Sequence, residues 1–132
     1  MLLDANARRG AFLEQVIGDL ELGDRVTVAV ERAERAARQM GWRGAFDLVV
    51  ARSFGSPAVT AECAVGFLRP GGRLVVSEPP ADTGDRWPEG PLAGLGLVDR
   101  GRMGQVRVLE QANAVPERFP RRVGVPTKRP LW

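Results

Sequence analysis

The sequence has no histidine, no tyrosine, one cysteine and one lysine in 132 residues, so proton transfer and ligand capture fall to carboxylates, arginines, the Cys63 thiol and Lys128. Four places set polar side chains directly after apolar stretches: Asp4, residues 32–34, residues 52–56 and residues 77–80. Asp4 has a short carboxylate that can accept hydrogen bonds from two ribose hydroxyls, or cap the helix that follows it. Ala33 and Glu34 suit the flank of an adenine ring, or equally a solvated first helical turn. Arg52 comes straight after an apolar run, so its cation must reach a bound ligand or a carboxylate, Glu34 and Glu62 being the candidates. A fifth concentration lies near the end of the chain, where Arg118, Arg121, Arg122, Lys128 and Arg129 face a single acid, Glu117. Beside Phe119, these cations suit phosphate contacts and base stacking. The competing account is a tail that packs across the domain and keeps it soluble.

The elements that carry these residues are read from hydrophobic period. Residues 1–4 are a short apolar start ending in an acid. In residues 6–22, Phe12, Leu13, Val16, Ile17 and Leu20 are three or four apart, which predicts an amphipathic helix closed by Gly23. Residues 25–30 alternate and are β-branched, hence a strand; residues 31–40 are rich in Ala, Glu and Arg, hence a helix ended by Gly41. Residues 46–51 form a nearly continuous apolar run and predict a buried strand. A helix over 57–68 starts on Pro57 with Ser56 as its cap. Pro70-Gly71-Gly72 predicts a turn, and 73–77 another buried strand. This strand and helix rhythm means an α/β domain with a mainly parallel sheet. Such sheets bind ligands beyond the carboxyl ends of their strands, which is where the four polar places fall. After Pro79-Pro80 the character changes: 81–94 read as loop with one short helix, and 95–99 with 105–109 as an antiparallel hairpin. Residues 1–115 thus form one domain, and 116–132 a basic, proline-rich tail without periodicity.

Composition sets the outer bounds. Hydrophobic residues are 44% and charged residues 27%, which fits a folded globular chain and excludes a mainly disordered one. No apolar run approaches the ~20 residues of a membrane-spanning helix, and the start lacks a signal-peptide layout. Cytoplasmic residence and no membrane partner are the expectation. Cys63 alone excludes an internal disulfide framework; with histidine absent, the common zinc sites are excluded too, and no metal is expected. Cys63 falls on the apolar face of the 57–68 helix and reads as core. The net charge of +3 permits a nucleic-acid partner without demonstrating one.

Several motifs occur together in one order. Leu3-Asp4-Ala5-Asn6-Ala7-Arg8-Arg9 runs into Phe12-Leu13; then come Arg32-Ala33-Glu34, Phe46-Asp47-Leu48-Val49-Val50-Ala51-Arg52-Ser53-Phe54 and Leu68-Arg69-Pro70-Gly71-Gly72. The most distinctive is the ending Phe119-Pro120-Arg121-Arg122-Val123-Gly124-Val125-Pro126-Thr127-Lys128-Arg129-Pro130-Leu131. Together these resemble the small-subunit ribosomal RNA guanine-N7 methyltransferases, also called glucose-inhibited division protein B. The resemblance runs, with gaps, from Leu2 to Leu131.

The resemblance implies a class I, Rossmann-like fold that binds S-adenosylmethionine and acts on small-subunit rRNA. It implies that Asp4 faces the ribose, that Ala33 and Glu34 lie near the adenine, and that Arg52 lies at the cofactor site. It gives residues 1–115 the part of a partial methyltransferase domain and assigns no catalytic residue. Guanine N7 carries a free lone pair and the sulfonium is already activated, so no general base is required. The chain departs from the family in lacking the first strand with its Gly-x-Gly-x-Gly loop and the helices before it; Gly94-x-Gly96 falls between other elements. The expectation is a sheet truncated at the N-terminus, with two internal strands left unpaired or with residues 1–4 paired directly to 46–51. The function read is an S-adenosylmethionine-dependent rRNA methyltransferase or a fragment of one. A non-catalytic RNA- or cofactor-binding remnant is the alternative. A dinucleotide-binding Rossmann enzyme is disfavoured by the missing Gly-x-Gly-x-x-Gly.

Overall fold

The computed structural model describes residues 1–80 and 84–132; the part of the expected loop at 81–83 lies outside the described residues. Strand β1 (Leu2–Asp4) leads into helix α1 (Ala7–Asp19), and the side chain of Asn6 caps it by accepting the Arg9 N–H at 3.1 Å. The helix stops short of residue 22 because Glu21 turns into the left-handed region, φ 52°. Its apolar stripe is only partly covered: Ile17 is buried and Leu13 and Val16 half-buried, but Phe12 is 63% and Leu20 61% exposed. Strand β2 (Val28–Val30) is shorter than the alternating run, since the N–H groups of Arg25 and Val26 turn back onto the Leu22 carbonyl. Helix α2 (Ala33–Ala36) is one turn, not the ten residues that composition favours. Beyond it Arg38 and Gln39 bond three residues back, to Arg35 and Ala36, and the helix tightens into successive turns.

Strand β3 (Phe46–Ala51) has the predicted bounds but is a half-exposed edge strand rather than a buried one, and helix α3 (Pro57–Val65) starts at the predicted proline but ends short of residue 68. Strand β4 (Leu68–Ser77) absorbs the predicted turn. Phe46 pairs with Leu68 and Leu48 with Arg73, so Pro70-Gly71-Gly72 forms an irregularity inside the strand. Gly71 supplies φ +82°, and a Cβ at Gly72 would stand 2.9 Å from the carbonyls of Arg69 and Phe46. Helix α4 (Glu89–Gly94), the hairpin β5 (Leu97–Met103) and β6 (Val106–Gln111), and the short helix α5 (Val125–Lys128) complete the chain.

The strands form two sheets, the expected alternative in which internal strands stay unpaired rather than close up. In the first, β1 runs parallel to β2; the second has the order β3-β4-β6-β5, with β3 parallel to β4 and the other pairs antiparallel. Residues 1–4 do not pair with 46–51, so β1 and β3 are both edge strands among the described residues. The main core lies between α3, α4 and the second sheet, with Leu68, Leu74, Leu97 and Leu109 at its centre. A smaller cluster ties the first sheet to it through Ala36, Ala37, Cys63 and Phe67, with Leu3 and Phe46 packed against them. Cys63 is core, and burial, with Glu34 and Glu62 nearby, pushes its thiol up to about 12.

Candidate functional site

In each parallel pair the polar places sit at the carboxyl ends, Asp4 level with Val30 and Ala51 level with Val76. Asp4 accepts from the Asn6 N–H at 2.8 Å and from Arg9, whose Nε and Nη2 approach at 2.6 and 2.8 Å. The Arg9 hydrogen bond and the Asn6 N–H hold its carboxyl below the usual range. After β2, Ala33 and Glu34 are buried, so the picture of a solvated first turn does not hold. Glu34 accepts from Arg32 Nη2 at 2.9 Å and from the Gly124 N–H at 3.0 Å. Burial pushes this carboxyl up, while Arg32 and the Gly124 N–H outweigh it and leave it below its ordinary value.

Arg52, one residue past β3, is exposed. The ion pairs that would have claimed it are made elsewhere, Glu34 with Arg32 and Glu62 with Arg121. Between the ends of β3 and β4 opens a cleft of about 290 Å³. It is lined by residues 53–55 and by Thr60, Ser77, Glu78, Arg86 and Trp87, among others. Glu78 falls in a stretch that the strand-end rule marks. Arg86 and Trp87 come from the Gly- and Pro-rich segment, where no periodicity marks them. The one signal was Trp87 itself, since an indole N–H in a loop needs a partner when buried.

The tail folds back over α2 and α3. Arg38 donates to the Pro120 carbonyl through Nε at 3.0 Å and Nη2 at 2.6 Å, and Arg43 donates to the Phe119 carbonyl at 2.9 Å. Arg121 grips the fully buried Glu62 with its backbone N–H, Nε and Nη2, at 2.8, 2.8 and 2.6 Å. A charge-assisted fork of this kind is among the stronger side-chain contacts. Arg118, Arg122, Lys128 and Arg129 remain exposed. Among the described residues no group of acids and cysteine could hold a metal ion.

The family profile for rRNA small subunit methyltransferase G matches residues 1–78. Ribosomal RNA small subunit methyltransferase G of Parasynechococcus marenigrum (strain WH8102) is 34% identical over 98% of this chain and 57% of its own length. Its counterpart from Carboxydothermus hydrogenoformans is 34% identical over 99% of this chain and 60% of its own. The chain therefore spans little more than half the length of these curated relatives. Among solved structures it resembles the T. thermophilus 16S rRNA N2 G1207 methyltransferase (RsmC) in complex with AdoMet and guanosine. The TM-score is 0.51 at 24% identity, over 87% of this chain and 36% of that one. An O-methyltransferase family protein from Burkholderia thailandensis also gives 0.51, at 19% identity, over 81% and 41%. The architecture is the class I, Rossmann-like methyltransferase fold.

Proposed function

The chain belongs to the small-subunit rRNA methyltransferase G family, and from that premise we propose that it serves S-adenosylmethionine-dependent methylation of guanine N7 in small-subunit rRNA. The observation that carries this reading is the set of strand ends: a carboxylate after β1, a buried Ala-Glu pair after β2 and, after β3, an exposed arginine with no carboxylate partner among the described residues. The residues present fit the adenosine half of the cofactor. A carboxylate offers about four lone-pair sites, and Asn6 and Arg9 use three of those on Asp4, leaving one for a ribose hydroxyl. Arg9 is itself largely exposed. Ala33 is small enough to lie against a ring, Glu34 stands beside it, and Arg52 adds positive charge at the next strand end. A glycine loop for the methionine half is not among these residues.

When bound, S-adenosylmethionine supplies a methyl group already activated on its sulfonium. Guanine N7 presents an in-plane lone pair, so this chain's residues have to position and shield the reactants rather than move a proton. The exposed Arg118, Arg122, Lys128 and Arg129 supply the phosphate contacts of the RNA partner. Arg121, expected among them, is instead committed to the buried Glu62, which neutralises its charge. The same reading implies a cytoplasmic protein; among the described residues no helix is long and apolar enough to cross a membrane.

A second reading, a non-catalytic cofactor- or RNA-binding protein, is favoured by the ion pairs that already engage Asp4 and Glu34, with Arg9 and Arg32. Calorimetric titration with S-adenosylhomocysteine, beside methyl transfer to small-subunit rRNA, separates the two. Binding with transfer supports the methyltransferase; RNA binding without transfer supports the non-catalytic protein.

A further inference from the structure

One built cavity has no part in the assignments above: the cleft of about 290 Å³ between the ends of β3 and β4. Glu78, the residue after β4, lines it with a side chain only 7% exposed. A carboxylate that deep requires partners. Trp87 Nε1–H donates to Oε1 at 2.8 Å, and Arg86 Nε stands 3.3 Å from Oε2. Arg86 Nε makes no aligned hydrogen bond among the described residues, so this second contact is a loose ion pair, and Oε2 has no other donor among those residues. At the same cleft, Phe54 is 52% exposed and Pro79 is a second apolar wall. Phe54 follows Ser53, whose φ of 52° is a strained conformation for a residue with a side chain.

An aromatic face beside a deep, loosely paired carboxylate selects a flat heterocycle with neighbouring N–H donors. Guanine has such a pair, N1–H and the N2 amino group, which meet one carboxylate as two parallel bonds. Adenine turns a lone pair at N1 toward the same oxygens and leaves them unpaired. We propose that this cleft receives the target guanine, flipped out of the RNA, with Glu78 reading its N1–H and N2 edge and Phe54 stacking on its face. N7 lies on another edge of the ring and stays free for methyl transfer. The inference rests on the methyltransferase reading for what happens at N7, but guanine selection by the cleft can be tested separately.

The test is titration of the 132-residue chain with guanosine, inosine and adenosine, with S-adenosylhomocysteine titrated in parallel. Guanosine should bind tightest. Inosine, which lacks the N2 amino group, should bind roughly tenfold more weakly, and adenosine weaker still. Glu78→Gln should bring guanosine down to the inosine level without changing the melting temperature, because its amide oxygen still accepts the Trp87 N–H. Phe54→Ala should weaken all three nucleosides alike. Equal affinity for guanosine and adenosine in the wild type, or full discrimination retained by Glu78→Gln, overturns the proposal. Should Glu78→Gln fail to fold, the three-nucleoside comparison on the wild type decides alone. Homocysteine-ligand binding without guanosine preference would sink the guanine site and spare the methyltransferase reading. Guanosine preference without it would do the reverse.

Discussion

At Glu34 burial and charge pairing oppose each other, and the outcome fixes how the chain responds to acid. Its ordinary value is 4.5, and in the folded chain Arg32 and the Gly124 N–H hold it lower against the cost of burial. Between those two values the unfolded chain binds more protons, so the stabilisation is complete above about 4.5 and is lost as pH falls through the folded value. Asp4 and Glu110, held down by Arg9 and Arg100, titrate in the same direction. The melting temperature should therefore fall as the solution is taken below about pH 4.5, and Glu34→Gln should make that fall shallower. An unchanged acid limb would show that the Glu34 pairing contributes nothing. Arg52 poses the complementary case, a cation at a strand end with no carboxylate partner among the described residues. Arg52→Ala should weaken S-adenosylhomocysteine binding while leaving thermal stability within about 0.5 kcal/mol, as for other surface changes away from buried networks. A large loss of stability with unchanged binding would mean that Arg52 is structural. Arg52 was legible because it follows a continuous apolar run. The partner of Arg121 was not, since Glu62 is 59 positions away in sequence and no local pattern joins them.

The elements whose period was strong matched the sequence reading, and those that tertiary contacts trim did not. Phe46–Ala51 needed only its own apolar run to be a strand, and α3 needed only Pro57 to start. Residues 37–40 have the composition of a helix, but Arg38 points its guanidinium at the Pro120 and Arg118 carbonyls and the chain tightens into turns there. The tail looked aperiodic for a related reason: its order comes from what it touches. A Cβ at Gly66 would stand 2.7 Å from both Ala37 Cβ and Pro120 Cδ. Gly66→Ala should therefore cost about 1–3 kcal/mol by overpacking and make the tail more open to limited proteolysis. Wild-type stability in that variant would show that the tail yields freely. Replacing Arg118 and Arg122 together by Gln should reduce the salt slope of rRNA binding by about 1–2 units of log K per log salt. An unchanged slope would remove the tail from the RNA interface.

Across the whole molecule, the division into two sheets was foreseeable only as one of two outcomes. The parallel rhythm was legible, but whether β1 would slide over to β3 depends on packing that no strand sequence records. The result leaves β1 and β3 among the unpaired edge strands of the described residues, and on β3 Leu48 and Val50 are 53% and 69% exposed. Such edges template pairing with another chain. Light scattering on the 132-residue chain should therefore show species larger than 14.3 kDa, and Val50→Lys should shift them toward the monomer. A monodisperse wild-type monomer would contradict this. The bond from Gly124 N–H to Glu34 has a consequence of another kind. On the reading proposed above, one carboxylate both holds the tail that meets RNA and flanks the adenine. Two ligands that act on one residue are thermodynamically linked. Whatever factor RNA imposes on cofactor affinity by pulling at the tail, the cofactor must impose on RNA affinity in return.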